Sequence, residues 1–286
     1  MTNEGQSSAN EVSAVVCCWN SAQSIVACLR SLRSNCVKEI ILVDADSDDG
    51  TKELAAPYVD MILTDPRKGL GCARNMGISH STGNYILNCG SDNIMPIGSI
   101  DAMLHFKQAG TYDGVSAVTV LTRPGYWGWA MNLYKAARFY PGERSVIGTP
   151  TLFDGDQLRN NPYDDNRQFS DDAELCERWK KSFHARFAIS EVTVEESGQA
   201  NWHSICYRWR IYGKSDFEIY SSHRDEWTLG RKFISIKYPL TEELIKPLLR
   251  TSGLKRFGLL PFLLLITGLR YKSWLYYQLN RHRDKK

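Results

Sequence analysis

Short apolar runs alternate with amphipathic stretches through the first 121 residues. VSAVVCC (Val12–Cys18), EIILVD and NYILNC are continuous apolar runs, the pattern of strands buried on both faces. VDMILT is a shorter strand, and YDGVSAVTVL reads as a fifth. Between them, SIVACLRSLRS sets Ile25, Cys28, Leu29 and Leu32 at helical spacing. GLGCARNMGISHS reads as a helix entered through glycines, with Gly83 marking its end, and SIDAMLHFKQAG as a helix stopped at Gly110. DSDDGT reads as a turn whose Asp49 caps a helix starting near Thr51. Strands and helices alternating at this spacing predict an α/β fold with a largely parallel sheet covered on both faces.

After Leu121 the pattern loosens. Residues 122–170, including RPGYWGWAMNLYKAARFYPG, are rich in Gly, Pro, Asn and aromatics, which predicts loops and one short helix forming a binding surface. SDDAELCERWKKS then starts an amphipathic helix, with its acidic pair where the helix dipole favours negative charge. The apolar run GLLPFLLLITGL (Gly258–Leu269) is shorter than the roughly 20 residues a spanning helix needs, contains Pro261, and is bracketed by LKRF and RYK. It suits a segment lying in a membrane interface, with Trp274, Tyr276 and Tyr277 at the headgroups; the competing reading is a helix packed on the protein's own core.

Charge narrows the picture little. The net charge of the 286 residues is +3, which gives no sign of a nucleic-acid partner, although the end NRHRDKK is basic. The eight cysteines include no CxxC pair, and several lie in strand-like runs, as buried reduced thiols of a cytosolic protein do. The polar start MTNEGQSSANE has no apolar stretch of the secretory kind.

Ligands of such sheets bind beyond the carboxyl ends of the strands. The polar oddities fall there: Asp44 and Asp46 after the second strand, and Asp92 after the fourth. With Arg74 and the pair Asp171 and Asp172, they complete a series. VVCCWNSAQSIVACLRSL, EIILVDADSDDGT, KGLGCARNMGISHSTGNYI, GSDN and DDAELCERW resemble, in order and spacing, a family-2 glycosyltransferase, the inverting kind with the GT-A fold. The resemblance runs from Val12 to about Tyr220. It implies a GT-A domain over 11–225, with a nucleotide-binding half (11–121) and an acceptor half (122–225). A helical, membrane-associating extension over 226–286 would follow.

The resemblance also implies roles. Asp44, helped by Asp46, would bind the nucleobase; the family often has a second acidic residue where Ala45 stands. Arg74 would pair with the diphosphate or the base edge, as its planar fork allows. In the family's Asp-x-Asp motif, the first aspartate is here Gly90, Ser91 is the middle residue on the nucleotide side, and Asp92 keeps the metal-touching place. One carboxylate is compatible with a Mg²⁺ or Mn²⁺ site, because such ions are commonly held by one or two carboxylates plus substrate phosphates. His203 is a candidate extra ligand and equally a structural histidine. Asp172 falls on the base position, with Asp171 and Glu174 supporting it. YRWRIYGKSD places Arg208 and Trp209 toward the acceptor. Processive relatives have Gln where Ile205 stands, so the expectation is transfer of a single sugar.

These signs together predict an inverting enzyme. It would move one sugar from a nucleotide donor, UDP-sugar by default, to a glycan or lipid-linked acceptor of cell-surface polysaccharide. It would sit in the cytoplasm, peripheral on the inner face of the membrane. Polyprenyl phosphate as the acceptor is an alternative within the same chemistry. Gly90 and Ala45 leave open a non-catalytic nucleotide-sugar-binding protein. A sugar-phosphate nucleotidyltransferase would need a Gly-rich basic loop after the first strand, and CCWNSAQS has none.

Overall fold

The computed structural model describes residues 8–122, 125–165, 170–198 and 200–280. The basic end from Arg281 onward, and residues 123, 124 and 166–169 of the aromatic stretch, lie outside them. Two compact units divide the described residues: 8–120 with 141–198, and 121–140 with 200–280.

The first unit is built on a nine-stranded mixed sheet. Its strands are β1 (Val12–Cys18), β2 (Glu39–Asp44), β3 (Met61–Thr64), β4 (Tyr85–Gly90), β5 (Asn93–Ile94), β6 (Gly114–Leu121), β7 (Gly142–Arg144), β8 (Thr151–Asp154) and β9 (Phe187–Glu196). They lie in the order β3-β2-β1-β4-β8-β6-β9-β5, with β7 on β9. The first four are parallel, and β8 joins β4 and β6 antiparallel. The helices of this unit are α1 (Ile25–Ser34), α2 (Thr51–Ala55), α3 (Leu70–His80), α4 (Ser99–Gly110), α6 (Gly155–Asn160) and α7 (Asp171–Phe183).

The apolar runs are continuous because each strand feeds two cores. In β2, Ile40 and Leu42 join Ile25, Leu29 and Leu32 of α1, whereas Ile41 and Val43 join Ile78 of α3 and Trp179 of α7. Side chains two apart on a strand share a face, so burial on both sides removes the usual apolar–polar alternation.

Residues 122–170 hold more regular structure than loops and one short helix. Thr151–Asp154 is an interior strand of the sheet, and Tyr126–Arg138 is a 13-residue helix, α5. Four residues are too few to show a period, and the glycines and aromatics around α5 hide its helical repeat.

The second unit joins α5 to α8 (Trp202–His223), α9 (Leu229–Tyr238), a π-helical turn (Pro239–Ile245), α10 (Lys246–Arg250) and α11 (Lys255–Asn280). Leu259, Phe262, Leu263 and Ile266 of the run Gly258–Leu269 are fully buried against Ala130, Met131, Tyr134, Ile205 and Trp209. This face of the run is therefore core, not bilayer contact. Among the described residues, no helix is long and apolar enough to cross a membrane.

Glu243 sits at the centre of this unit with no exposure. It accepts from Arg270 Nη1 (2.5 Å), Tyr134 Oη (2.5 Å) and Trp209 Nε1 (3.2 Å), and it also pairs with Arg138. Arg270 in turn donates two hydrogen bonds to Asp216, at 2.5 and 2.8 Å. Burial alone would push the Glu243 carboxyl up, but Arg138 and Arg270 outweigh it and hold it below the ordinary carboxylate value. Removing one partner of such a network leaves buried charge without compensation. Glu243→Ala is expected to cost about 3–5 kcal/mol, read as a lower denaturant midpoint in urea unfolding.

Candidate active site

Strand register brings the acidic positions together. β1 lies between β2 and β4, with Cys18 opposite Asp44 and Cys17 opposite Gly90. The carboxyl ends of the three strands are therefore neighbours, and Asp44, Ser91 and Asp92 leave the sheet at one edge. A hydrogen bond between Ser21 Oγ and Ser91 Oγ (2.9 Å) ties the loop after β1 to the loop after β4.

Asp44 is buried, 1% exposed, and is held as a turn residue. It accepts from Ser47 N (2.9 Å), Ser47 Oγ (2.6 Å) and Cys18 Sγ (3.2 Å), with Lys52 Nζ 3.7 Å away. Burial pushes its carboxyl up; the two Ser47 bonds, Cys18 and Lys52 outweigh this and keep it below its ordinary value, so it is ionised. Asp46 is exposed, with its backbone at φ 55°, and lies near Lys52 (3.6 Å) and Arg67 (3.8 Å). Arg67 also donates to the Ala45 carbonyl at 2.8 and 3.0 Å and to that of Asp46 at 3.1 Å. Ser47, Lys52 and Arg67 thus shape this loop, and nothing in their local sequence marks them. Asp49 accepts from the Thr51 amide (3.1 Å) and the Ala22 amide (2.9 Å), while Gly50 occupies the cap position of α2.

Arg74 is engaged by two carboxylates and a hydroxyl. Its Nη1 donates to Asp171 Oδ2 (2.6 Å) and Asp172 Oδ1 (2.7 Å), and its Nη2 donates to Thr149 Oγ1 (2.6 Å). The guanidinium is buried and lies 5.1 Å from the centre of the Tyr163 ring. Burial disfavours its charge, yet the two aspartates hold it firmly protonated. Tyr163 Oη receives a bond from Asn88 of β4 (3.1 Å) and reaches Asp172 Oδ1 at 3.4 Å.

Asp171 and Asp172 begin α7, as the acidic pair predicts. Asp171 is buried, while Asp172 is partly open, its side chain 22% exposed. Burial pushes the Asp172 carboxyl up to about 6; Arg74 opposes this and Asp171 reinforces it. Glu174 is turned to Arg178 (2.8 Å) and does not reach this cluster.

The motif around Arg74 docks a loop. Asn75 Nδ2 donates to the Tyr163 carbonyl (2.7 Å) and Asp165 Oδ1 (2.7 Å), and Asn75 Oδ1 accepts from the Tyr163 amide (2.9 Å). A Cβ on Gly71 would come 2.5 Å from the Asp164 carbonyl oxygen, so only glycine permits this approach. Asn75, Thr149, Asn88 and Tyr163 escape sequence reading because their partners lie far away in the chain. The neighbourhood of Arg74 in "ARN" was the only available signal.

At Asp92, a Cβ on Gly198 would come within 2.2 Å of Oδ2, and one on Gly90 within 3.0 Å of Oδ1. Glycine at both places therefore lets the carboxylate lie close against the backbone. Among the described residues, no group of three or more His, Cys, Asp or Glu is arranged to hold a metal. His203 and Arg208 are exposed on α8, in the other unit. Trp209 is corrected by the structure: 1% exposed and bonded to Glu243, it packs in the core of its unit and does not border an acceptor.

The profile of the family described as "Glycosyl transferase family 2" matches residues 13–161. A curated relative, the cholesterol galactosyltransferase of Borreliella burgdorferi, is 27% identical over 110 residues, which are 36% of this chain and 31% of that protein. The chain thus spans about a third of that relative's length. Among solved structures, the mannosyltransferase PcManGT of Pyrobaculum calidifontis, in complex with GDP-Man and Mn²⁺, superposes with a TM-score of 0.63 at 17% identity, covering 96% of this chain and 88% of that one. TarS 1-349 of S. aureus in complex with UDP-GlcNAc gives 0.52 at 13% identity, covering 96% and 92%. At these identities the likeness shows the fold, which is GT-A.

Gly71→Ala is expected to push the Tyr163–Asp165 loop off α3, with the cost of about 1–3 kcal/mol usual for overpacking. A fall in melting temperature checks this.

Proposed function

Since the chain belongs to glycosyl transferase family 2, matched over more than half of its length, we propose that this glycosyltransferase moves a single sugar from a nucleotide-sugar donor, UDP-sugar first, with inversion. The acceptor is a hydroxyl of a glycan or lipid-linked molecule at the inner face of the membrane. The observation that carries this reading is the buried cluster of Arg74, Asp171 and Asp172, which sets one partly open carboxylate with a pKa near 6 at the start of α7.

In this reading the donor lies across the strand ends. Asp44 accepts from a base N–H, and Ser91 contacts the nucleotide. Asp92 would hold Mg²⁺ or Mn²⁺, and a cation there neutralises charge on the departing diphosphate. Asp172 takes the proton of the acceptor hydroxyl as its oxygen attacks the anomeric carbon, and the bond to the nucleoside diphosphate breaks on the opposite face. An α-linked donor therefore gives a β-linked product. Arg74 is a positioning residue: it fixes the carboxylate and lowers its proton affinity. The sterol acceptor in the name of the Borreliella relative supports a lipid-type acceptor.

The direct test is nucleoside diphosphate release from UDP-, GDP- and TDP-sugars, with and without Mn²⁺, in the presence of membrane extract as acceptor. Release with one donor is expected. Asp172→Asn should lower the rate about 10²–10⁴-fold while leaving donor binding unchanged by calorimetry. Release that survives in this variant at the wild-type rate would remove Asp172 from the base role.

The pH profile provides a further check. A base works only when deprotonated, and Asp172 is protonated below about 6. kcat/KM should therefore fall as pH drops through about 6 and level off above it. Because Arg74 lowers the Asp172 pKa, Arg74→Met should move this limb to higher pH.

A further inference from the structure

The second unit leaves one helix face without a partner. In α9, Leu229, Phe233 and Ile236 recur at i, i+4 and i+7, and Leu240 continues the row. That spacing places them along one side of the helix. They are 85%, 56%, 41% and 38% exposed, and no residue of α9 is buried. Lys232 and Lys237 flank the row, with the Lys237 ammonium 4.1 Å from the centre of the Phe233 ring. Other groups of this segment face inward: Tyr238 Oη accepts from Arg138 (3.0 Å), and the Ile236 carbonyl accepts from Tyr271 (2.7 Å). Those contacts hold α9 on its unit by one side.

We propose that this face of α9 docks on an anionic lipid surface, with the apolar row entering the interface and the lysines at the headgroups. Charge decides the occupant. α9 has Arg231, Lys232 and Lys237 and no acidic residue, and Arg250, Lys255, Arg256 and Lys272 add cations beyond it, while Lys246 is paired with Glu242 and Arg270 is buried with Glu243 and Asp216. A second copy packed face to face would set like charges against each other, whereas an anionic membrane attracts them. The start of α11 has the same make-up, with Leu254 just before it and Phe257 within it 86% and 72% exposed beside Lys255. The membrane contact is thereby assigned to α9 in place of the run Gly258–Leu269, whose apolar residues are largely core. This deepens the membrane-face reading above, but its test uses neither donor nor acceptor, so each can fail alone.

The full chain is mixed with vesicles of phosphatidylcholine, or of phosphatidylcholine with phosphatidylglycerol, and sedimented at low and high salt. It should pellet with the anionic vesicles only, and less so near 1 M salt, where the screening length is about 3 Å. Phe233→Ser with Ile236→Ser should weaken binding by about tenfold or more, and Lys232→Gln and Lys237→Gln by about fivefold each, with unchanged circular dichroism. Phe233→Trp, which keeps the face apolar, should shift its emission to the blue on anionic vesicles. Equal binding by the serine variant, or no shift of the new tryptophan, overturns the proposal. So does absence of binding together with a concentration-dependent dimer, seen by light scattering, that the serine variant abolishes; a second copy would then cover the face.

Discussion

Two carboxylates side by side at the partly buried start of a helix cannot both stay charged without a cation between them. Arg74 supplies it, reaching from α3 to Asp171 and Asp172 on α7 at 2.6 and 2.7 Å. Much of the first unit serves this contact. Thr149 takes the other arm of the guanidinium, Tyr163 lies against its plane, and Asn88 holds Tyr163 from the middle of the sheet. The result is asymmetric. Asp171 is enclosed, while Asp172 keeps an opening and a raised proton affinity, the combination a general base needs near neutral pH.

The strand ends work by a different principle. Parallel strands set side by side deliver their carboxyl ends to one edge, so loops far apart in the chain meet there, and the Ser21–Ser91 hydrogen bond ties two of them. Asp44 is kept ionised by local bonds from Ser47, and its loop is braced by Arg67. The acidic motif after β4 is thin, with Gly90 where an aspartate would add charge. Asp92 remains there, its carboxylate packed close against Gly198 and Gly90.

The second unit has an apolar core but departs from the usual rule at two places, an ion cluster within that core and an apolar row on the surface. Glu243 with Arg138 and Arg270 occupies its centre, and Leu229, Phe233 and Ile236 lie on its surface. Burying the ions costs desolvation, offset here by aromatic donors and by Asp216. Exposing the apolar row costs contact with water, which is relieved when a lipid interface covers it.

By itself the sequence determined what depends on local pattern. Runs such as EIILVD could only be two-sided strands, the turn after Asp44 was written in Ser and Asp, and the acidic pair marked the start of α7. The ordered motifs carried the family and its fold. Tertiary structure alone decided which distant groups meet. Arg74 shows no preference in its own neighbourhood between a phosphate and a carboxylate pair 97 residues away. Thr151–Asp154 is too short to announce an interior strand, and Trp209 looks like a surface aromatic until Glu243 is placed beside it. The run Gly258–Leu269 has no charged residue and α9 has three cations, yet both offer apolar side chains along a helix. Which of them is buried depends on what packs against each, and pattern along the chain has no access to that.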